Sequence, residues 1–575
     1  MGQETVNADM IMGQEHYKQH DHLQYPEKTM YDMIEAMGAE YGTYPAFDFY
    51  GRKTSFADFV QKILRAARAF TDVGIVRDDA VTICMPNVPQ AMVCFYALDR
   101  IGAASNMVHP LSAQNEITYY LNVSKSKMIL TLDMFYEKVA AAVAQADHPV
   151  KILVARMQDE LPAKLVIPYT LTKGREFLKL PKSGKGMLWT QFLQRGNRTI
   201  SLPPSIFDRN HTAVILYSGG TTGTPKGICL TDYNFNALGL EAIDAIGVVF
   251  HAGIRMLSCM PLFHGFGLGI NLHTILMHGA CCVLLPTFTI KSYADTLIKK
   301  RPHFIAGVPT IFEALLHMPQ LKNADLSFLV GMFCGGDSLS IELKKKVDEF
   351  LRAHHAGIQI REGYGLTECV TASCLTPKDD YRPGSIGLPF PDIEYAVVEP
   401  GTENLVPPGT EGELILRGPT VMLGYLNNEE ETAKALRMMP DGKKWLFTGD
   451  LGHMDEDGFV YFHQRISRMI VTNGYNVYPG QIENELDKCR EVSYSCVIGV
   501  KDRRRGKRIR AYVVLRDGMK GDEACKKRIL DQLKLSVAAY ALPKELIFRK
   551  ELPKTLVGKV AYRKLEEEAA QETAN

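Results

Sequence analysis

The 575-residue sequence lacks an excess of either charge, with 66 Lys and Arg against 65 Asp and Glu and a formal net of +1. Binding duplex nucleic acid across a whole chain wants a large basic excess, so that class is excluded. Zinc-ligand spacing is also missing among the 12 cysteines. They are scattered, mostly beside Val, Ile, Leu or Met, and Cys281 and Cys282 are adjacent. Such thiols read as reduced, buried small hydrophobes of a cytoplasmic protein. There is no internal repeat and no low-complexity tract. The opening stretch MGQETVNADM has neither a basic flank nor an apolar core, so no secretory signal is expected, and Val6 stands where myristoylation wants Ser or Thr. A long lipid-facing run is missing too. The nearest approach, Gly265 to Leu285, contains Asn271, His273 and His278. It predicts a buried helix over Leu268 to His278, a turn at Gly279 and a strand over Cys281 to Leu285, not a membrane span.

What is present is an ordinary globular composition, 46% hydrophobic and 23% charged, with length for about three or four domains. Helical periodicity over Phe56 to Val73 and Val88 to Ile101 alternates with short apolar strands at Ala80 to Met85, Lys127 to Leu132, Ala213 to Tyr217, Phe304 to Val308 and Phe328 to Cys334. This alternation predicts an α/β fold with largely parallel sheets. From Glu394 the segments EYAVVE, GELILRG and GFVYFHQ follow closely, with turns at Pro408-Gly409 and Asp457-Gly458, which predicts a small antiparallel β unit. Lys151 to Ser201 shows no clear period and receives no role.

Charge is unevenly placed. Arg468 to Asn575 holds 23 Lys and Arg against 15 Asp and Glu, a balance of +8, so the preceding 467 residues carry −7 of the +1 total. Such asymmetry fits either opposed surfaces or a shared anionic ligand. A segment suited to an anion follows the strand-like AVIL: Tyr217-Ser218-Gly219-Gly220-Thr221-Thr222-Gly223-Thr224-Pro225-Lys226-Gly227. Its glycines allow tight turning, Ser218, Thr221, Thr222 and Thr224 offer hydroxyls, backbone amides can nest an anion, and Lys226 adds a full charge. This is chemistry for a polyphosphate. The spacing is not that of a Walker loop, because Gly227 follows the lysine. A Gly/Thr-rich linker is the alternative, but a linker does not normally follow a buried strand.

YSGGTTGTPKG resembles the phosphate-loop signature of the adenylate-forming superfamily, which comprises acyl-CoA synthetases, peptide-synthetase adenylation domains and firefly luciferase. Four more segments resemble its motifs in order. They are Tyr364-Gly365-Leu366-Thr367-Glu368, Trp445 to Asp450, Gln464 to Pro479, and Pro553 to Lys559. The resemblance spans roughly residues 30 to 567. It implies a large N-terminal part, residues 1–466, of two α/β subdomains plus a small β unit. A small mobile α+β domain, residues 467–575, would follow and carry the catalytic lysine.

The implied chemistry has two halves. A carboxylate attacks the α-phosphate of ATP to give an acyl-adenylate and pyrophosphate, and a thiol, usually that of coenzyme A, then displaces AMP. Bringing two anions together requires positive charge where negative charge accumulates. The resemblance implies that role for Lys559, with Glu368 holding Mg²⁺ and Thr367 donating to a phosphate oxygen. It implies ribose contacts for Asp450 and Arg465, and an adenine slot between Gly363-Tyr364-Gly365 and Gly335-Gly336-Asp337. ATP is then held by Ser218, Gly219, Gly220, Thr221, Thr222, Gly223, Thr224 and Lys226 as well. Ser467 is the implied hinge, where the family commonly has Asp or Lys, and Arg468 follows where an acid is common. After the small domain rotates, Gly474 and Tyr475 would frame the thiol tunnel. Arg503, Arg504 and Arg505 are candidates for the phosphates of coenzyme A, a carrier-protein dock being the equal alternative.

Met260 to Gly267 (MPLFHGFG) resembles the acyl-pocket segment. His264 stands where amino-acid-activating relatives carry Asp, which disfavours an α-amino acid. His264, Phe266 and Val308 are the pocket candidates, with His264 also a catalytic candidate that gates the pocket or sits near the carboxylate, a satisfied core histidine being the alternative, and apolar neighbours point to a fatty or aryl acid. The leading reading is an AMP-forming acyl-CoA synthetase with no transmembrane segment, peripheral membrane contact staying open. Loading of a carrier-protein phosphopantetheine, a luciferase-like monooxygenase and a non-catalytic nucleotide-binding regulator are the alternatives. Lys559, Glu368 and Asp450 argue against the last.

Overall fold

A computed structural model of the protein describes residues 11–12, 22–172, 174, 186–198, 200–218, 225–286, 288–468, 470–472, 475–477, 479–502, 506–554 and 560–574. Two sheets of mainly parallel strands form its body. The first has eight strands in the order Gly424–Tyr425, Lys226–Leu230, Val214–Ser218, Ala104–Met107, Ala80–Cys84, Met128–Leu132, Lys151–Ala155 and Gly186–Leu188. The second has nine, with Arg255–Ser258, Phe304–Gly307, Gly331–Cys334 and Ile360–Tyr364 parallel at its centre. Strand Ala80–Cys84 is buried along its whole length, as an inner parallel strand covered on both faces must be. Helix Phe56–Asp72 starts where the Ser55 hydroxyl accepts from the Asp58 amide, and it buries Phe56, Phe59, Ile63 and Phe70.

The expected antiparallel unit is a six-stranded sheet that includes Glu394–Val398, Gly412–Arg417, Lys444–Met454 and Val460–Arg465. After the short helical turn Ile466–Arg468, a five-stranded sheet with helices Pro479–Asp487, Glu523–Ser536 and Tyr562–Ala574 forms the C-terminal unit. That unit has cores of its own, around Ile482, Leu486, Ile509 and Ile529 on one side and around Cys496, Tyr512 and Leu565 on the other.

Two expectations change in detail. Lys151 to Ser201 supplies the outer strands Lys151–Ala155 and Gly186–Leu188 of the first sheet, with helices Ala163–Leu171 and Trp189–Arg195. The helix expected over Leu268 to His278 is instead a wide π-helix, Phe266–Thr274, prolonged by Ile275–Met277 and followed by the strand Cys281–Leu284. It is buried against helix Asp232–Ile246. A Cβ on Gly269 would come within 2.7 Å of Leu238, and one on Gly267 within 2.0 Å of the Pro261 carbonyl oxygen, so small residues set this close approach. His273 of this helix is satisfied inside the protein, meeting the Tyr96 hydroxyl at 3.1 Å and Asn236 at 2.9 Å, and burial pushes its pKa down to about 3. Among the described residues no helix is long and apolar enough to cross a membrane. All 12 cysteines are free and buried.

Candidate active site

The phosphate-loop segment joins two antiparallel strands, with Ser218 paired to Lys226 across the ladder. Gly219, Gly220, Thr221, Thr222, Gly223 and Thr224 lie outside the described residues. At the loop's two ends, Ser218 Oγ donates to Glu368 Oε1 at 3.5 Å, and Lys226 forms an ion pair with Glu431. The Lys226 ammonium also stands 4.7 Å from the ring centre of Tyr425, a cation–π arrangement. The Tyr425 hydroxyl donates to the same Glu368 oxygen at 2.9 Å. Lys226 and Lys434 hold the Glu431 carboxyl down at about 2.

Glu368 and Thr367 occupy a single helical turn, Thr367–Cys369, immediately after strand Ile360–Tyr364. The chain leaves that turn through Val370, whose φ of 63° and ψ of −59° make a tight γ-turn closed by the Thr371 amide on the Cys369 carbonyl at 2.7 Å. A β-branched side chain rarely adopts this backbone, and its fully buried position fixes it there. The γ-turn presses on the acyl-pocket candidates: a Cβ on Gly265 would lie 1.7 Å from the Val370 carbonyl oxygen. Gly265→Ala is therefore expected to lower the thermal midpoint, at a cost of about 1–3 kcal/mol or more, while Gly357→Ala, with open space around it, leaves the midpoint in place. Equal melting curves for the two variants would contradict this packing.

His264 accepts the Phe266 amide at 3.2 Å through Nδ1, and it is half-buried. Phe266 and Val308 both pack on the core that contains Met260 and Ile311. A Cβ on Gly335 would stand 3.8 Å from the Phe266 ring and 3.2 Å from the Gly363 carbonyl oxygen. Phe266, Gly335 and Gly363, from the acyl candidates and from both sides of the expected adenine slot, therefore adjoin. Gly336 needs its positive φ of 81°, and Asp337 beside it is exposed. Gly365 is obligatory, since a Cβ there would lie 2.0 Å from the Thr371 carbonyl oxygen.

Asp450 is 1% exposed on strand Lys444–Met454. Tyr364 donates its hydroxyl to Asp450 Oδ2 at 2.6 Å, and Arg465 Nε lies 3.3 Å from Oδ1. Burial, then the Asp450 charge, raises the Tyr364 hydroxyl well above its ordinary range. Arg465 is held charged chiefly by Asp450, with further help from Tyr364, Glu368 and Tyr562. Tyr562 belongs to the C-terminal unit, so that unit reaches over this corner.

Ser467 sits in the turn Ile466–Arg468, between two anchored arginines. Arg465 points back to Asp450, and Arg468 pairs with Glu483 at 2.6 Å while its guanidinium lies 4.9 Å from the Tyr562 ring centre. Lys559, Gly474, Arg503, Arg504 and Arg505 lie outside the described residues. For Tyr475 the backbone belongs to the strand Tyr475–Val477. On either side of Lys559 in sequence, Lys554 and Val560 bridge antiparallel and the Ala561 amide donates to the Pro553 carbonyl at 2.7 Å.

Tyr425 and Glu431 were missed by sequence reasoning, although Gly424-Tyr425 and the run Glu429-Glu430-Glu431 were visible as a turn and a charge cluster. Nothing local ties them to a loop some 200 residues earlier. A cavity of about 490 Å³ opens behind them, lined in part by Cys229, Leu423, Tyr425, Glu429 and Thr432. None of the acyl candidates lines it.

Residues 34–426 match the family model "AMP-binding enzyme", and residues 481–559 match "AMP-binding enzyme C-terminal domain". A long-chain-fatty-acid–CoA ligase of Bacillus subtilis strain 168 is 34% identical over 96% of this chain and 96% of its own. One from Escherichia coli O6:H1 is 31% identical over 95% of this chain and 96% of its own. The crystal structure of ATP-bound MatB from Rhodopseudomonas palustris superposes with a TM-score of 0.79 at 25% identity, covering 94% of this chain and 99% of that one. With both family domains matched in order and relatives aligned nearly end to end, the chain belongs to the AMP-binding enzyme family.

Proposed function

We propose that the protein is an AMP-forming acid–thiol ligase that activates a long-chain fatty acid as its acyl-adenylate and transfers the acyl group to coenzyme A. The observation that carries this reading is the convergence of Ser218 and Tyr425 on Glu368 at the mouth of the 218–226 hairpin. Such a carboxylate beside a polyphosphate loop serves to hold a divalent ion, and the buried Asp450 serves to accept ribose hydroxyls. Glu368 offers hard oxygen, which fits Mg²⁺, and the ion would supply charge neutralisation on the phosphates. Tyr364 orients Asp450, and Arg465 balances its charge. Thr367 donates to a phosphate oxygen. Gly335, Gly336 and Asp337 face Gly363, Tyr364 and Gly365 across the adenine. Lys559 bridges the carboxylate and the α-phosphate during the first half-reaction.

The names of the relatives support a long-chain fatty acid, and the apolar setting of Phe266 and Val308 fits one. In the second half-reaction the unit after residue 466 rotates about Ser467, replacing Lys559 with the Gly474-Tyr475 segment. Arg503, Arg504 and Arg505 then receive the coenzyme A phosphates. A cytoplasmic setting belongs to this reading, supported by 12 free, buried thiols. The test is AMP release measured with ATP, Mg²⁺ and a series of fatty, aryl and bile acids, with and without coenzyme A. AMP formation that requires both a long-chain acid and coenzyme A is expected. AMP release only with a holo-carrier protein, or pyrophosphate release that ignores the acid, would overturn the assignment.

A further inference from the structure

Outside the nucleotide site, three titratable side chains line up on the antiparallel sheet just before the hinge. Glu411 accepts from His463 Nδ1 at 2.5 Å, and His463 Nε2 faces His453 Nδ1 at 3.0 Å. The His453 ring is stacked on Tyr461 at 4.5 Å and 3° between planes. A β-bulge sets up the meeting. Phe462 pairs with Gly452 and Gln464 with Leu451, so His463 is the extra residue between two adjacent rungs. Bulges of this kind re-aim a side chain.

We propose that His453 Nδ1 and His463 Nε2 form a binding site for a divalent transition-metal ion of the zinc class, with Glu411 as the carboxylate that orients His463. The argument is geometric. Two imidazole nitrogens 3.0 Å apart stand nearly at the separation of two adjacent ligands of one ion with metal–nitrogen bonds of about 2.0–2.1 Å. Glu411 fixes the His463 proton on Nδ1 and leaves Nε2 bare, the carboxylate–histidine arrangement found behind metal-bound imidazoles. In the absence of metal, a proton on His453 Nδ1 fills the gap. On binding, that proton transfers through solvent to His453 Nε2, both rings stay neutral, and no net proton is lost. His463 and Glu411 side chains are 25% and 31% exposed, so an ion can enter from solvent. Among the described residues no set of three or more His, Cys, Asp or Glu converges as a metal cage. Water fills the remaining positions. Imidazole ligands separate this site from the oxygen site for Mg²⁺ at Glu368.

The site lies against the seam between the two units, because Gly480 packs on the His463 carbonyl, where a Cβ would stand 3.0 Å away. The test uses the full-length protein stripped of metal and titrated with Zn²⁺ against a fluorescent chelator, together with zinc-edge X-ray absorption of the loaded sample. One equivalent of Zn²⁺ with two imidazole ligands is expected. His453→Ala and His463→Ala should each weaken uptake at least tenfold, and Glu411→Gln, which keeps both ligands, by about 10–100-fold. Thermal melts in chelator check that the variants fold, and Zn²⁺ should raise the midpoint of the wild type but not of the double His variant. Unchanged uptake in the double variant, sulfur-dominated absorption, or no stoichiometric binding by the wild type would overturn the proposal.

Discussion

Lys559→Ala is expected to lower acyl-adenylate formation by about 10²–10³-fold, the usual loss when one charge-stabilising donor is removed from a transition state. A synthetic acyl-adenylate supplied with coenzyme A should still be converted to thioester at close to the wild-type rate. The asymmetry follows from where the lysine lies in the chain. Lys554 and Val560, on either side of it in sequence, form an antiparallel bridge, and Tyr562, three residues after Lys559, is close enough to Arg465 to help keep it charged. Tyr562 thus stands near the arginine that pairs with the buried Asp450, and the proposed function has two anions approach there in the first step. No anion pair has to be joined in the second step, so the same positive charge is not needed. Single-turnover measurement of pyrophosphate release and of thioester formation separates the two. Equal loss in both half-reactions, or none in the first, would remove Lys559 from the role proposed for it.

Glu368→Gln carries the next largest effect. The substituted amide oxygen can still accept from Tyr425 and Ser218, and the backbone bond from the Met422 amide to the Glu368 carbonyl at 2.8 Å does not involve the side chain. The turn therefore keeps its place while one full negative charge disappears. The expected result is a kcat/KM for ATP lower by about 100-fold, or about 2.7 kcal/mol of transition-state stabilisation. The Mg²⁺ concentration needed for half-maximal rate should rise as well, with an unchanged melting midpoint. Lost activity with an unshifted Mg²⁺ requirement would mean that Glu368 acts through Tyr425 rather than through an ion.

Much of this arrangement was readable in the sequence, because the features that carry it are local. Strands such as Ala80–Cys84 announce themselves as short apolar runs, and Gly265, Gly267 and Gly365 stand where the packed backbone leaves no space for a Cβ. The ribose and metal candidates were found as ordered motifs, and Tyr364, Asp450 and Arg465 do meet. Legibility failed for two physical reasons. Segment 151–201 contributes outer strands and short helices, one with Pro168 inside it, and such elements are too brief to show a period. Glu431 and Tyr425 owe their place to strand Gly424–Tyr425 adding to the edge of Lys226–Leu230, a long-range pairing that no local pattern encodes. The π-helix was read as an ordinary helix because its apolar and glycine residues suit either winding.

The ion pair between Lys226 and Glu431 gives the loop's ammonium an anionic partner from within the chain. A phosphate bound there, as the proposed function has it, would exchange one anion for another, and only the difference between the two contacts would count toward affinity. A singly charged ion such as chloride gains little by that exchange, whereas a polyphosphate that engages the ammonium together with several backbone amides gains more. Under the proposed function Glu431 would be a resident competitor, setting a threshold of charge and denticity below which an anion leaves Lys226 untouched.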